Sequence, residues 1–518
     1  MSWLPGLLLV FGLPLAASQQ VTLLHVNDSH SHLAAWGPKD DNLDGTLGGL
    51  PKAAAIIAAA TAEDSEALFV HAGDYMHGDL FFNEYIGIPE LQILKALGLD
   101  AMVLGNRDFQ LGPDFVVDTL EGAWSTPVGG VPVLGTNLVP GEHPLGGWTV
   151  PTLMLSAHGV KIGLLGVTDP KGPMAKPSPV TILPPKDPAQ EAVNTLRDDG
   201  AQVIVCLAHL GMAKARALAS AVSGIDVIVN AHDNAELTAP EPVARLGGGT
   251  TWIVSAGHLY EYVGRLRLSV DGDAVTVVDY ALLHADGKTA PLEWVQAETD
   301  GLQAGIVARY GDVYRLALAT ASSDITAEFR EGKGDTALGM MYPDAYRALT
   351  GTDIAIEAMG YIDDPIPRGA VLGADVFRGM SISIAPAEVD GRQIVRPVNL
   401  VTFRSPGASL KSRLQFLLSM GDKNYFPQVS GMTIVYDSSA GNAIVEARIG
   451  GEPIVGDQLY SVTATKLVYN ALRSVGLVTQ DKVELPDLAF DAARAWVQSL
   501  GHLVPGTPAR MRDSAADE

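Results

Sequence analysis

The feature that most constrains this chain is a rhythm in its first half, where short apolar runs suited to buried strands alternate with helical stretches. The runs cover residues 21–26, 68–71, 101–104, 161–167, 203–207, 225–229 and 252–255. Runs that are apolar along their length and bounded by polar or glycine residues fit strands covered on both faces, as in a layered α/β domain. Residues 50–62 and 90–97 read as intervening helices, the second stopping at Gly98 as helices often do. In such folds ligands gather at loops that leave the strand ends.

At 518 residues the chain is too long for one hydrophobic core, so two domains are expected. A helical pattern over 291–318 breaks at Ser322-Ser323-Asp324, which places a linker helix at 293–323 between a first domain, 19–292, and a second, 324–505. The second half carries predicted strands at 393–402, 432–436, 443–449 and 459–464 and helices near 336–348 and 410–418. The tail, 506–518, is small, charged and without apolar periodicity, which predicts disorder.

Acidic residues outnumber basic ones by 59 to 35, giving a formal net charge of −24. That field repels polyanions and argues against nucleic acid polymers as partners. A small anionic substrate therefore needs a local positive focus, which metal ions supply. Residues 1–18 hold an apolar stretch at 7–15 followed by Ala16, Ala17 and Ser18, the pattern of a secretory signal. The alternative, a membrane anchor, falls short of the ~20 residues that a span needs. A secreted or periplasmic protein without a stable membrane span after cleavage is expected. The single cysteine, Cys206, excludes an intramolecular disulfide and sits in an apolar run as a core residue.

Five short motifs carry the chemistry: Asn27-Asp28-Ser29-His30, Gly73-Asp74, Gly105-Asn106-Arg107-Asp108, His209-Leu210-Gly211 and His232-Asp233-Asn234. Each begins at or just after a predicted strand. A site for two divalent cations (zinc, manganese or similar) needs oxygen and nitrogen ligands from separate loops, including a carboxylate able to bridge. Asp28, His30, Asp74, Asn106, His209, His232 and Asn234 form such a set, and the lack of thiolates speaks against a structural zinc cluster.

The order and wording of these motifs resemble the calcineurin-like metallophosphoesterases, specifically the 5'-nucleotidase family. "LLHVNDSHSHL", "HAGDYMHGD", "ALGLDAMVLGNRDF", "LAHLG" and "VNAHDNAEL" follow its blocks in the first half; "VNLVTFRSPGASLKSRLQFLL", "NYFPQVSGMTIVYD" and "GEPIVGDQLYSVTAT" do so in the second. The resemblance implies an N-terminal four-layer α/β/β/α metallophosphoesterase domain and a C-terminal α/β 5'-nucleotidase-type domain that binds substrate. It further implies that Asp28, His30 and Asn234 hold one metal, that Asn106, His209 and His232 hold the other, and that Asp74 bridges them. Amide side chains occur in the family at the position of Asn234. Hydrolysis of a nucleotide or related small phosphoester by metal-bound hydroxide is the implied reaction. Asn106 and Arg107 would contact the substrate, and Phe426 would stack on its base.

Two departures stand out. The family's histidine after the metal-binding asparagine and its aspartate three residues on are here Arg107 and Gln110. A guanidinium stays protonated and is no ordinary general acid, yet its fork suits phosphate or sulfate oxygens. Arg107 and Asp108 are thus the catalytic candidates in this loop. For Arg107 the other reading is an ion pair, with Asp108 the nearest partner. After Thr465 the chain also lacks the glycine-rich aromatic loop that completes the base clamp, leaving Tyr469 as a substitute and a buried strand-end role as the alternative for Phe426. Two further functions compete: a thiosulfohydrolase acting on sulfonate groups, and a binding protein that keeps the metals without turnover.

Overall fold

The computed structural model describes residues 18–170, 178–272, 274–389 and 391–517. The predicted leader falls, apart from Ser18, outside the described residues. In the first half thirteen strands build two sheets. They are β1 (Gln19–Val26), β2 (Leu68–His71), β3 (Ala101–Val103), β4 (Val133–Leu134), β5 (Thr149–Val150), β6 (Thr152–Ala157), β7 (Val160–Thr168), β8 (Val203–His209), β9 (Val227–Ala231), β10 (Glu241–Ala244), β11 (Thr250–Val254), β12 (Tyr262–Asp271) and β13 (Ala274–His284). The sheet orders are β13-β12-β1-β2-β3-β4-β5 and β10-β11-β9-β8-β7-β6. β1, β2 and β3 run parallel, as do β7, β8 and β9.

The sheets meet over a dry core. Leu23, Val70 and Val103 of the first pack with Leu164, Val205 and Val229 of the second. Because strand side chains alternate, the neighbouring residues face outward onto helices. Leu24, Phe69 and Met102 join the core of α1 (Leu50–Glu63), α2 (Leu80–Tyr85), α3 (Ile88–Ala96) and α4 (Pro113–Trp124). Leu165, Cys206 and Ile228 join that of α5 (Lys186–Asp198) and α6 (Met212–Ala221). Each of these central strands thus has a core on both faces, which is why the runs read as continuously apolar, and the layers stack α/β/β/α. Burying each such aliphatic side chain contributes about 1.5–3 kcal/mol, so this double core holds the strand ends, and the loops that leave them, in place.

Helix α7 (Glu293–Tyr310) leads into the second half. The predicted linker ends earlier than expected, because β14 (Ala317–Ala321) already pairs with residues 369–372 and 502–503 of the C-terminal unit. That unit is built on a five-stranded sheet, with β15 (Ile354–Ala358), β16 (Asn399–Pro406), β17 (Pro427–Ser430), β18 (Leu459–Thr465) and β19 (Gln480–Leu488) in the order β17-β15-β18-β16-β19. The single strand expected at 393–402 is two strands, Arg392–Pro397 in a hairpin with Ile384–Val389 and then β16. Pro397, which cannot donate a ladder hydrogen bond, marks the break.

The tail expected to be disordered is folded. Met511–Asp513 adds a parallel strand beside Met432–Asp437, Met511 is fully buried, and Arg510 binds the Val429 carbonyl and Asp344. Among the described residues no helix is long and apolar enough to cross a membrane.

Candidate metal centre

The loops leaving β1, β2, β3, β8 and β9 converge at the C-terminal ends of the parallel strands of both sheets. Asp28, His30 and Asp74 form one group whose ligand atoms all lie within 4.8 Å of one another, and Asp74, His209 and His232 form a second. Asp74 is common to both. Asn106 joins the second group, its Oδ1 lying 3.1 Å from His209 Nε2 and 2.6 Å from His232 Nδ1.

The backbone is bent sharply to bring these atoms together. Asp28 (φ 48°), His30 (48°), Asp74 (58°), His232 (93°) and Asn234 (55°) all adopt left-handed conformations, which cost non-glycine residues about 1–3 kcal/mol each and cluster at functional sites. Neighbouring loops pin them: Asp28 N–H donates to the Gly73 carbonyl at 2.9 Å, and His30 N–H donates to that of Asp74 at 3.1 Å. A Cβ on Gly105 would stand 2.1 Å from Asp74 Oδ1, so only glycine lets the third loop approach Asp74 this closely.

His209 Nδ1 faces the Ala72 carbonyl at 2.9 Å, and His30 Nδ1 faces that of Met76 at 3.2 Å. A carbonyl only accepts, so Nδ1 carries the proton and the Nε2 lone pair is left for a cation. Asp28 and Asp74 are almost wholly buried. Burial, joined by repulsion from Asp74, raises Asp28 to about 6. Burial works against the His209 cation too, but the neighbouring Asp74 outweighs it and raises the imidazole to about 10. Without a cation the buried carboxylates thus hold a second proton on the ring, at Nε2, and a bound cation would take that proton's place. This hard O/N donor set, with the one cysteine buried in the core elsewhere, fits divalent cations.

The remaining predicted site residues fall differently. Asn234 sits exposed beyond His232 on the same loop, outside this hydrogen-bonded set. Asp108 is fully buried and turned away from the ligands: its carboxylate accepts backbone N–H groups from Asp74, Tyr75, Met76 and Gly105 at 2.7–3.1 Å. It braces two loops, which corrects the expectation of a catalytic role. Arg107 does not pair with it. The Arg107 guanidinium instead makes a two-pronged bond to Asp363 of the C-terminal unit, at 2.6 and 2.8 Å.

Phe426 is buried too, its ring meeting Phe329 and Tyr436 in T-shaped contacts, so it presents no face to a base. Tyr469, buried against Phe403, does not replace it. Asp363 and Asp364, whose Oδ2 is 3.3 Å from His32 Nε2, lay outside every motif read from the sequence. No local signal marked them, because their partners lie in the other half of the chain.

Comparison with known proteins follows the same division. Residues 21–236 match the calcineurin-like phosphoesterase model and residues 317–473 match that of the 5'-nucleotidase C-terminal domain. The fold and its convergent O/N ligands define a calcineurin-like metallophosphoesterase domain joined to a second, nucleotidase-type domain. The chain belongs to the 5'-nucleotidase family. A 5'-nucleotidase of Diplobatis ommata is 31% identical over 294 residues, covering 52% of this chain and 49% of the relative, so the chain spans about half the length of such relatives. Among solved structures, a 5'-nucleotidase precursor from Thermus thermophilus superposes with TM-score 0.79 at 24% identity over 96% of this chain and 99% of the other. A sulfate thiohydrolase from the same organism superposes with TM-score 0.72 at 18% identity, over 97% and 98%. At these identities the likeness to both structures is one of fold.

Proposed function

We propose that the protein is an exported, metal-dependent phosphohydrolase that acts on small phosphoesters, nucleotides among them, with two divalent cations held by Asp28, His30, Asp74, Asn106, His209, His232 and Asn234. The observation that carries this reading is the position of Asp74, shared by two ligand groups at the meeting point of both sheets. When bound, the cations would supply Lewis-acid stabilisation of charge developing on the phosphoryl oxygens and lower the pKa of water.

The chain's own residues do the rest. Backbone carbonyls hold the His30 and His209 rings with Nε2 facing inward. Asp108 keeps the Asp74 and Asn106 loops in register, and Arg107 keeps a permanent positive charge beside Asp74, to which its backbone N–H donates at 2.8 Å. His77 is no substitute for the absent proton donor, since burial against Phe82 pushes it down to about 3. Leaving groups that depart without protonation are therefore preferred.

Metal analysis combined with assays on AMP, a nucleoside diphosphate, a cyclic nucleotide and an activated aryl phosphate tests the reading. Two bound cations per chain and turnover weighted to the aryl phosphate are expected; metal without turnover on all four substrates would leave a binding protein. Burial of Phe426 favours one second reading, hydrolysis of a sulfonate group, because it removes the base-stacking face. Turnover of a thiosulfonate in place of every phosphoester would establish it.

A further inference from the structure

Arg107 stands at the edge of the metal centre, its backbone tied to the shared carboxylate of Asp74 and its fork filled by Asp363. Ser381 holds Asp363 in that pose, its Oγ donating to Oδ2 at 2.6 Å. The side chains of Arg107 and Asp363 keep 22% and 12% exposure, so the pair is reachable from solvent. Asp364 adds a second carboxylate beside His32. His32 is two residues from His30 on the loop leaving β1, so Asp364 faces the same loop that carries the candidate ligands.

A carboxylate that meets a guanidinium with two oxygens uses the geometry that a phosphoryl group would use. Asp363 therefore occupies the bidentate anion position. It also changes the charge balance. Before any bound water ionises, two divalent cations and Arg107 would bring five positive charges against the four carboxylates of Asp28, Asp74, Asp363 and Asp364, leaving one; without the Asp363 carboxylate the excess would be two. A single excess charge matches a monoanionic diester, whereas a dianionic monoester exceeds it.

We propose that Asp363 is a specificity-determining residue: by holding the Arg107 fork it makes the centre select monoanionic phosphodiesters over dianionic monoesters. This rests on the phosphohydrolase reading above, and the test separates the two. Inorganic phosphate is titrated calorimetrically into the metal-loaded protein at a pH where it is dianionic. Asp363→Asn should bind it about tenfold tighter, since the fork is freed and one negative charge is removed. Adding Arg107→Gln should erase that gain.

In parallel, the ratio of kcat/KM for bis(4-nitrophenyl) phosphate to that for 4-nitrophenyl phosphate should fall about tenfold in Asp363→Asn. Ser381→Ala, which leaves every charge in place and only loosens Asp363, should move both readouts the same way by about threefold, and it decides the matter if Asp363→Asn does not fold. Unchanged phosphate affinity in the folded variants, or a gain that survives Arg107→Gln, would overturn the proposal. A wild-type protein that hydrolyses neither ester would overturn the phosphohydrolase reading, and the phosphate titration would still decide the role of Asp363.

Discussion

Asp108 has both carboxylate oxygens occupied by four backbone amides from two loops. Asp108→Ala would orphan buried donors, each bonded to a buried carboxyl oxygen and costing about 1–3 kcal/mol when left unpaired. With partial relief by water, a loss of about 3–5 kcal/mol is expected in denaturant unfolding of the metal-free protein. Glu357, a buried residue of β15 bonded to the Ala358 N–H and Tyr346 OH, gives a pH dependence. Burial raises its carboxyl from 4.5 to about 7. Between those values the native state holds a proton that the unfolded chain has released, so stability falls as pH rises through that window and levels off above it. The gap is worth about 3 kcal/mol. Glu357→Gln should therefore gain on wild type as pH rises, read as denaturation midpoints near pH 5 and pH 8.

At the scale of the element, the strand ends do the work. Strands β1 to β3 and β8 to β9 end level because their side chains are packed between two cores, and the loops begin from that common edge. The approach of the loop after β3 depends on Gly105, whose missing Cβ leaves room for Asp74 and His209. Gly105→Ala is predicted to cost most of the bound metal while leaving the sheets intact, measured as metal content by elemental analysis beside an unchanged far-ultraviolet circular dichroism spectrum. A variant that kept full metal content would show that the loop can retreat without losing the site.

For the whole molecule, the two halves are joined by more than Arg107 and Asp363. Asp79, fully buried, accepts from Arg378 Nε at 2.6 Å and from Tyr314 OH at 2.9 Å, and Lys39 pairs with Asp375 at 2.9 Å. Breaking one partner of a buried pair leaves an uncompensated charge and costs about 3–5 kcal/mol. Arg378→Met should lower the first melting transition and separate the unfolding of the halves in calorimetry. A single unshifted transition would mean that the ion pair contributes nothing to their coupling.

Local order carried the rest of the information in different amounts. The apolar runs and the motifs after them were legible because strand period and strand-end loops are properties of neighbouring residues; thus Asp28, His30, Asp74, Asn106, His209 and His232, which the fold brings together, could be named as candidates from the chain alone. The partner of Arg107, 256 positions away, was not legible, because an ion pair forms between whichever charges the fold brings together. The same reason hid the burial of Phe426 between Phe329 and Tyr436, and the order of the tail, whose three-residue strand is stabilised by one buried methionine and by contacts from distant elements. Sequence by itself determined the layers, the strand ends and the cluster of candidate ligands. Tertiary structure alone decided what faces them across the interface, since that depends on how two separately patterned halves dock.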